Sequence, residues 1–202
     1  MKKILSSLAV FVFIFSGCSG DDDSNITVSP ETDVTYSKGN ANAKVVITEY
    51  SDYECQFCAM FALQTLPQLQ NDYIETGKVR FVFKDYPIPN HEFAQKASEA
   101  TYCAGEQKED LFWQMHIDLF TDQKNISRED LTELAKKYEM NIQAFDTCLD
   151  SNKYKHLVLR NKSEGKGKGV TATPTIFIND TKLLGVQPYE NMKKIIETEL
   201  AK

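Results

Sequence analysis

The sequence predicts an α/β fold whose two strand-and-helix halves are separated by a long run of helices. Val45, Val46, Ile47 and Tyr50 have the β-branched and aromatic composition of a buried strand, and they lead into Phe61, Leu63, Leu66, Leu69 and Tyr73 at roughly helical spacing. A second strand, in which Val79, Phe81 and Phe83 alternate with Arg80, Val82 and Lys84, completes a strand–helix–strand half. After helical periodicity over about 91–165, two short apolar runs and a last helical pattern make a strand–strand–helix half.

The first 33 residues read as processing and tether. Lys2 and Lys3 give a positive start, and residues 4–15 form an apolar core too short to span a membrane comfortably. Phe15-Ser16-Gly17-Cys18 resembles a bacterial lipobox, with Phe15 where an aliphatic residue is usual. Residues 1–17 are expected to be a lipoprotein signal peptide and Cys18 the lipidated residue, with an ordinary signal peptide or an uncleaved anchor as alternatives. Residues 18–33, with Asp21, Asp22 and Asp23 among many Ser, Thr and Asn, cannot bury enough surface to fold and read as a solvated tether. The folded domain is then 34–202. Its composition, 42% hydrophobic and 26% charged across the whole chain, suits one globular core, and a net charge of −6 argues against nucleic acid as a partner.

Along the domain, a short strand within 34–44 and a turn at Gly39–Asn42 precede the central strand over 45–50. A helix follows from about 56 to 75, with a kink expected at Pro67 and a stop at Gly77. In the helical block, Phe93, Ala97, Ala100 and Ala104 share one face, as do Leu111, Met115 and Leu119. Ser127 and Asp130 mark a helix start, with Asp where Glu or Gln is usual. Trp113 reads as a core aromatic and His116 as a half-buried histidine. Gly165, Gly167 and Gly169 are expected to break the last helix into a flexible re-entry; their order is not that of a phosphate loop. Strands at 175–178 and 182–184, turned at Asn179-Asp180, and a helix from about 188 to 200 close the chain.

The chemistry concentrates at Cys55-Gln56-Phe57-Cys58, where a strand ends and a helix begins. The first helical turn presents unpaired N–H groups and the positive end of the helix dipole, which favour a thiolate. Cys55 is then the exposed nucleophile and Cys58, one turn deeper, the resolving thiol of a redox-active disulfide that needs no other cofactor. A zinc site would require further ligands at suitable spacing, and His91, His116 and His156 stand alone. A static structural disulfide is the other alternative. With Cys18 assigned to lipid, the local pair leaves Cys103 and Cys148, which an oxidising compartment would allow to join; two buried free thiols are the alternative.

Four stretches resemble the DsbA-like branch of the thioredoxin superfamily, from about residue 36 to the C-terminus. They are Ile47-Thr48-Glu49-Tyr50-Ser51-Asp52-Tyr53-Glu54-Cys55-Gln56-Phe57-Cys58, Arg80-Phe81-Val82-Phe83-Lys84-Asp85-Tyr86-Pro87, Phe112-Trp113-Gln114-Met115-His116 and Thr173-Pro174-Thr175-Ile176-Phe177-Ile178-Asn179. The resemblance implies a thioredoxin fold with a helical domain inserted between its βαβ and ββα halves. It also implies a cis Thr173–Pro174 bond packed against Cys55, with the backbone of Thr173 presented to an extended substrate chain. Glu49 stands where relatives of thioredoxin carry a buried acid beneath the resolving cysteine. It is expected to relay the proton of Cys58, with Lys84 as its partner; a strand-end ion pair between the two is the alternative.

The activity so implied is thiol–disulfide exchange on cysteine-containing exported proteins, in the oxidising direction, with a membrane partner to reoxidise the pair. Gln56-Phe57 departs from the proline that many DsbA-like proteins carry at the first of these positions, and this leaves open a reductase or isomerase. A binding lipoprotein that uses the scaffold without turnover is a further alternative. A glutathione-handling enzyme would need a dedicated site that the sequence does not display.

Overall fold

A computed structural model describes residues 34–202 of the chain. The signal peptide, the tether and Cys18 lie outside the described residues.

The central sheet has the strand order β1-β3-β2-β4-β5, with β1 at Ser37–Lys38, β2 at Val45–Ser51, β3 at Val79–Asp85, β4 at Thr175–Ile178 and β5 at Thr181–Leu184. β2 and β3 run parallel, joined by the helix that follows the cysteine pair; the remaining pairings are antiparallel. The tight link between β4 and β5 turns at Asn179, whose φ of 48° is the left-handed backbone that Asn tolerates. This is the thioredoxin fold, and the helical insertion sits between its halves.

Side chains alternate along each strand, so the register of β2 on β3 fixes what can meet. Ile47, Glu49 and Ser51 lie beside Phe81, Phe83 and Asp85 on one face, while Thr48 and Tyr50 lie beside Val82 and Lys84 on the other. The first face is covered by the cysteine-bearing helix and the insertion, through Phe61, Phe112, Met115 and Phe120, all of them fully or almost fully buried. The second face carries a smaller cluster of Tyr50, Tyr86 and Val170 beneath the chain that leads into Thr173 and Pro174.

The helix after the cysteines is α1 (Gln56–Met60) and α2 (Leu66–Leu69), joined by a π turn at Phe61–Thr65 and followed by another at Gln70–Ile74. Where the sequence predicts a kink at Pro67, the helix widens before and after it. Proline has no N–H to give to the residue four before it, and around it the chain uses five-residue steps, such as Leu66 N–H to the carbonyl of Phe61. Gly77, at φ 75°, supplies the left-handed stop.

The insertion comprises α3 (Ala94–Gln107), α4 (Glu109–Thr121), α5 (Arg128–Lys137), α6 (Ile142–Asp150) and α7 (Lys155–Gly167), and α8 (Tyr189–Leu200) closes the chain. Asp130 completes the capping box of α5 despite its short side chain, accepting from Ser127 N at 2.9 Å while Ser127 Oγ accepts from Asp130 N at 3.3 Å. The expected break at Gly165 is absent, because α7 runs through it to Gly167. Gly165 is there for contact: a Cβ at this position would stand 2.7 Å from Tyr50 Cδ1, so only glycine lets α7 lie against the sheet.

Candidate active site

Cys55 is the N-cap of α1, with extended backbone at φ −81° and ψ 113°. Its carbonyl accepts from the N–H of Cys58 at 3.0 Å and of Ala59 at 3.1 Å, which starts the helix directly beneath its sulfur. Across the site, the Thr173–Pro174 bond is cis, and Cys55 Sγ donates to the carbonyl of Thr173 at 3.4 Å. Cys55 and Cys58 are both free thiols. Cys55 keeps 8% of its surface and Cys58 none, so the nucleophile expected to be exposed is mostly covered.

The two thiols are driven apart. The Cys58 side chain bonded to it pulls Cys55 down to about 6 against the opposing effect of burial, with Thr173 and the N–H groups of Cys58 and Phe57 adding to the pull. Burial pushes Cys58 far up, helped by the same bond to Cys55 and by the charge of Glu49. At neutral pH the pair is therefore a thiolate over a thiol.

Glu49 is fully buried on the first sheet face, and neither carboxyl oxygen has a hydrogen-bond partner among the described residues. Burial pushes its carboxyl up to about 8. The Ser51 hydroxyl tempers that rise from a position outside strict hydrogen-bond geometry, and negative charge on Cys55 adds to it. The partnership expected between Glu49 and Lys84 does not exist. Glu49 lies beside Phe83, so Lys84, one residue further on, points to the opposite face. There Lys84 Nζ meets Glu164 Oε2 at 3.1 Å, and Glu164 also accepts from the Tyr50 hydroxyl at 2.8 Å. Lys84 thus ties β3 to α7, where it also reaches Asn161 Oδ1 at 3.4 Å.

His116 departs from its expectation as well, being fully buried. Burial, seconded by the charge of Lys38, takes its imidazole down to about 3, so it is neutral under ordinary conditions. Its Nδ1 meets the Tyr53 hydroxyl at 2.9 Å and anchors the loop before Cys55 to α4.

Sequence reasoning passed over that loop. Asp52, fully buried, accepts from Ile88 N at 2.7 Å, Glu54 N at 2.8 Å and His91 Nδ1 at 2.8 Å. Glu54 accepts from Phe93 N and Ala94 N, each at 2.7 Å, and so caps α3 from a distance. Gln123 Nε2, from the end of α4, donates to the carbonyls of Tyr53 at 2.7 Å and Cys55 at 3.0 Å. The available signal was local: Phe93 precedes α3 with no side chain able to cap it, so a cap had to come from elsewhere.

Away from this site, Cys103 and Cys148 are joined and tie α3 to α6, with Cα atoms 5.9 Å apart. Among the described residues no cluster of three or more His, Cys, Asp or Glu could hold a metal, and no helix is long and apolar enough to cross a membrane.

A family model described as thioredoxin matches residues 31–198. The chain belongs to the thioredoxin family. It is 31% identical over 172 residues to disulfide bond formation protein D of Bacillus subtilis, covering 80% of this chain and 75% of that one. The crystal structure of oxidised BdbD from Bacillus subtilis superposes with a TM-score of 0.77 at 26% identity, covering 83% of this chain and 94% of that one. DsbA of Chlamydia trachomatis shares the fold, with a TM-score of 0.72 at 18% identity over 84% of this chain and 95% of that one. Within the family the chain is of the DsbA-like kind, a protein thiol–disulfide oxidoreductase.

Proposed function

We propose that the chain is an exported dithiol oxidase that forms disulfides in extracytoplasmic proteins through Cys55 and Cys58. The observation that carries this reading is the placement of Cys55: a helix N-cap, in contact with Thr173, above a buried Cys58. In the oxidised enzyme a substrate thiolate attacks Cys55 Sγ, the Cys55–Cys58 bond breaks, and Cys58 leaves with the electron pair and takes up a proton. A second substrate thiolate then attacks the substrate sulfur of the mixed disulfide and releases Cys55 as its stabilised thiolate. A thiolate held at about 6 is a good leaving group and stabilises the reduced enzyme, which makes the disulfide oxidising.

Glu49 is the group that gives and takes the Cys58 proton, since it is buried beside that thiol with its carboxyl raised toward neutrality. Thr173 offers its backbone to the substrate chain, with Pro174 behind it. Exposed Phe57 and Met60 border a groove of about 490 Å³ shared with Val186 and Pro188, an apolar seat for the residues flanking a substrate cysteine. Cys103 and Cys148 are structural. The leader at 1–17 exports the domain, Cys18 anchors it by lipid, residues 18–33 tether it, and a membrane redox partner reoxidises it.

The test is the reduction potential of the Cys55–Cys58 pair, equilibrated with glutathione buffers and followed by thiol trapping. A value of about −120 mV supports an oxidase, one near about −180 mV an isomerase, and one near about −270 mV makes the chain a reductase. A pair that never titrates makes it a binding module. Substituting Glu49→Gln is expected to slow exchange and to flatten its dependence on pH between 6 and 9; an unchanged profile sinks the relay.

A further inference from the structure

We propose that Asp85 is a second proton site of this reaction, joined to Glu49 through the Ser51 hydroxyl and a bridging water beneath Cys58. This inference rests on the reading that Glu49 exchanges a proton with Cys58.

A carboxyl as deeply enclosed as Glu49 must pass its proton on. The register of the two central strands points the way. Ser51 follows Glu49 by two residues and so shares its face, and Ser51 is paired with Asp85 across β2 and β3. All three side chains are buried, at 0–1% exposure. Both oxygens of Glu49, the hydroxyl of Ser51 and Oδ1 of Asp85 have no partner among the described residues. Unpaired polar atoms are rare in folded interiors, and four of them on one patch of sheet need a shared occupant. A water with two to four polar neighbours is the occupant of matching chemistry.

The surroundings of Asp85 suit a group that binds and returns a proton. Its other oxygen, Oδ2, accepts from the Tyr102 hydroxyl at 2.8 Å and from Asn161 Nδ2 at 3.1 Å, which fixes the carboxyl and leaves Oδ1 turned elsewhere. From α3 it faces Tyr102 and the Ser98 hydroxyl; from α7 it faces neutral Asn161, whose neighbour Glu164 is held by Lys84. From the loop before Cys55 it faces Tyr53, which also feels Glu49 and is anchored by neutral His116 of α4. No cation pairs with it among these groups. Burial raises its carboxyl, offset in part by Tyr102, Ser98 and Asn161. Ser51 in turn lies close enough to both Cys58 and Glu49 to lower each of them, so the hydroxyl stands at the junction of the path.

The step balances within the protein. In the mixed disulfide between Cys55 and a substrate, the Cys58 thiol gives its proton to the Glu49 carboxylate. The Cys58 thiolate attacks Cys55 Sγ, a Cys55–Cys58 bond forms, the Cys55–substrate bond breaks, and the substrate leaves as a thiolate. Glu49 passes the proton by way of Ser51 and the water to the Asp85 carboxylate and is restored. The reverse sequence returns it to Cys58 when the enzyme disulfide is opened.

The test loads full-length protein with a cysteine peptide as a mixed disulfide on Cys55 and follows peptide release by Cys58 from pH 6 to 9. Asp85→Asn keeps the shape of the side chain and cannot take the proton. It is expected to slow release about tenfold, less than the 10²–10⁴ of a group in direct contact, and to flatten the pH profile. Ser51→Ala should do the same. The double variant Glu49→Gln/Asp85→Asn should be no slower than Glu49→Gln alone, because the two act on one path. Profiles for Asp85→Asn and Ser51→Ala that match the parent, or effects that add, overturn the proposal. If Asp85→Asn does not fold, Ser51→Ala decides it. If Glu49→Gln alone leaves release unchanged, the relay reading itself fails; if only the Asp85 and Ser51 variants are silent, that reading stands and the second site falls.

Discussion

The chain holds two cysteine pairs whose surroundings are opposite. Cys55 is the N-cap of a helix, where the N–H groups of Phe57 and Cys58 and the positive end of the dipole favour its thiolate. Cys103 and Cys148 lie in the C-terminal halves of α3 and α6, near the negative ends of their helices. The first pair has the unpartnered carboxyl of Glu49 beneath it and Thr173 across from it; the second borders a surface groove lined by polar side chains, among them Glu106, Asn141, Thr147 and Lys153. A thiolate is stabilised at one site and disfavoured at the other. On the proposed function, a bond between the first two sulfurs is the labile one and the Cys103–Cys148 bond the durable one.

The strongest way to break this comparison is to remove one sulfur from each pair. Cys55→Ala should abolish disulfide transfer to a dithiol peptide, while Cys148→Ala should retain most of it. Transfer that survives without Cys55 would mean that the second pair also turns over.

Glu49 sharpens the contrast: its carboxyl has no hydrogen-bond partner among the described residues, whereas the buried Glu99, one turn before Cys103, accepts from Gln95 and Lys96. Its carboxyl titrates near 4.5 in an unfolded chain and at about 8 in the fold. Between those values the native state holds a proton that the unfolded chain has released, so its contribution to stability falls as pH rises from 4.5 through 8. Measured by denaturant unfolding of the reduced protein, Glu49→Gln should gain on the parent across that window by an amount on the order of 5 kcal/mol. A difference that stays flat with pH would show that Glu49 is solvated and no relay. His116 works with the opposite sign. Held at about 3 in the fold against 6.5 unfolded, it costs stability as pH falls from 6.5 toward 3.

The second pair should show itself in stability alone. Its bond closes a loop of sequence separation 45, and its removal by Cys103→Ala/Cys148→Ala should cost about 4 kcal/mol in the chain-entropy account. Urea unfolding measures this. The titration of Cys55 should stay where it was; if it moves, the two pairs are coupled through α3 and the loop that Glu54 ties to it.

Much of this was legible in the sequence because it is local. β-branched runs, the spacing from Phe61 to Tyr73, the position of Cys55 between strand and helix, and the Ser127 cap each declare themselves within a few residues. The pairing of Glu49 with Lys84 was misjudged because it depends on register. One residue of slip along β3 exchanges Phe83 for Lys84 beside Glu49 and moves the ammonium to the other face. Gly165 misled in another way, as it serves the approach of α7 to Tyr50 and Tyr86, a contact between residues more than seventy positions apart. The capping of α3 by Glu54 and the hold of Gln123 on the Cys55 carbonyl were hidden for the same reason.

The finest test separates the two contributions that make Cys55 acidic. The largest pull is the bond from the Cys58 side chain; the rest comes from Thr173 and the N–H groups of Phe57 and Cys58. Cys58→Ala removes the first and keeps the N–H groups, because the backbone of residue 58 is unchanged. Followed by thiolate absorbance, the midpoint should rise from about 6 yet stop short of the ordinary 9.0, since the helix end still faces the sulfur. If Cys55 in Cys58→Ala climbs all the way to 9.0, its acidity belongs to the pair and the helix end contributes nothing; if it stays near 6, the helix end suffices. An intermediate value assigns a share to each, and makes the position of a cysteine on its helix the property that divides a redox pair from a structural one.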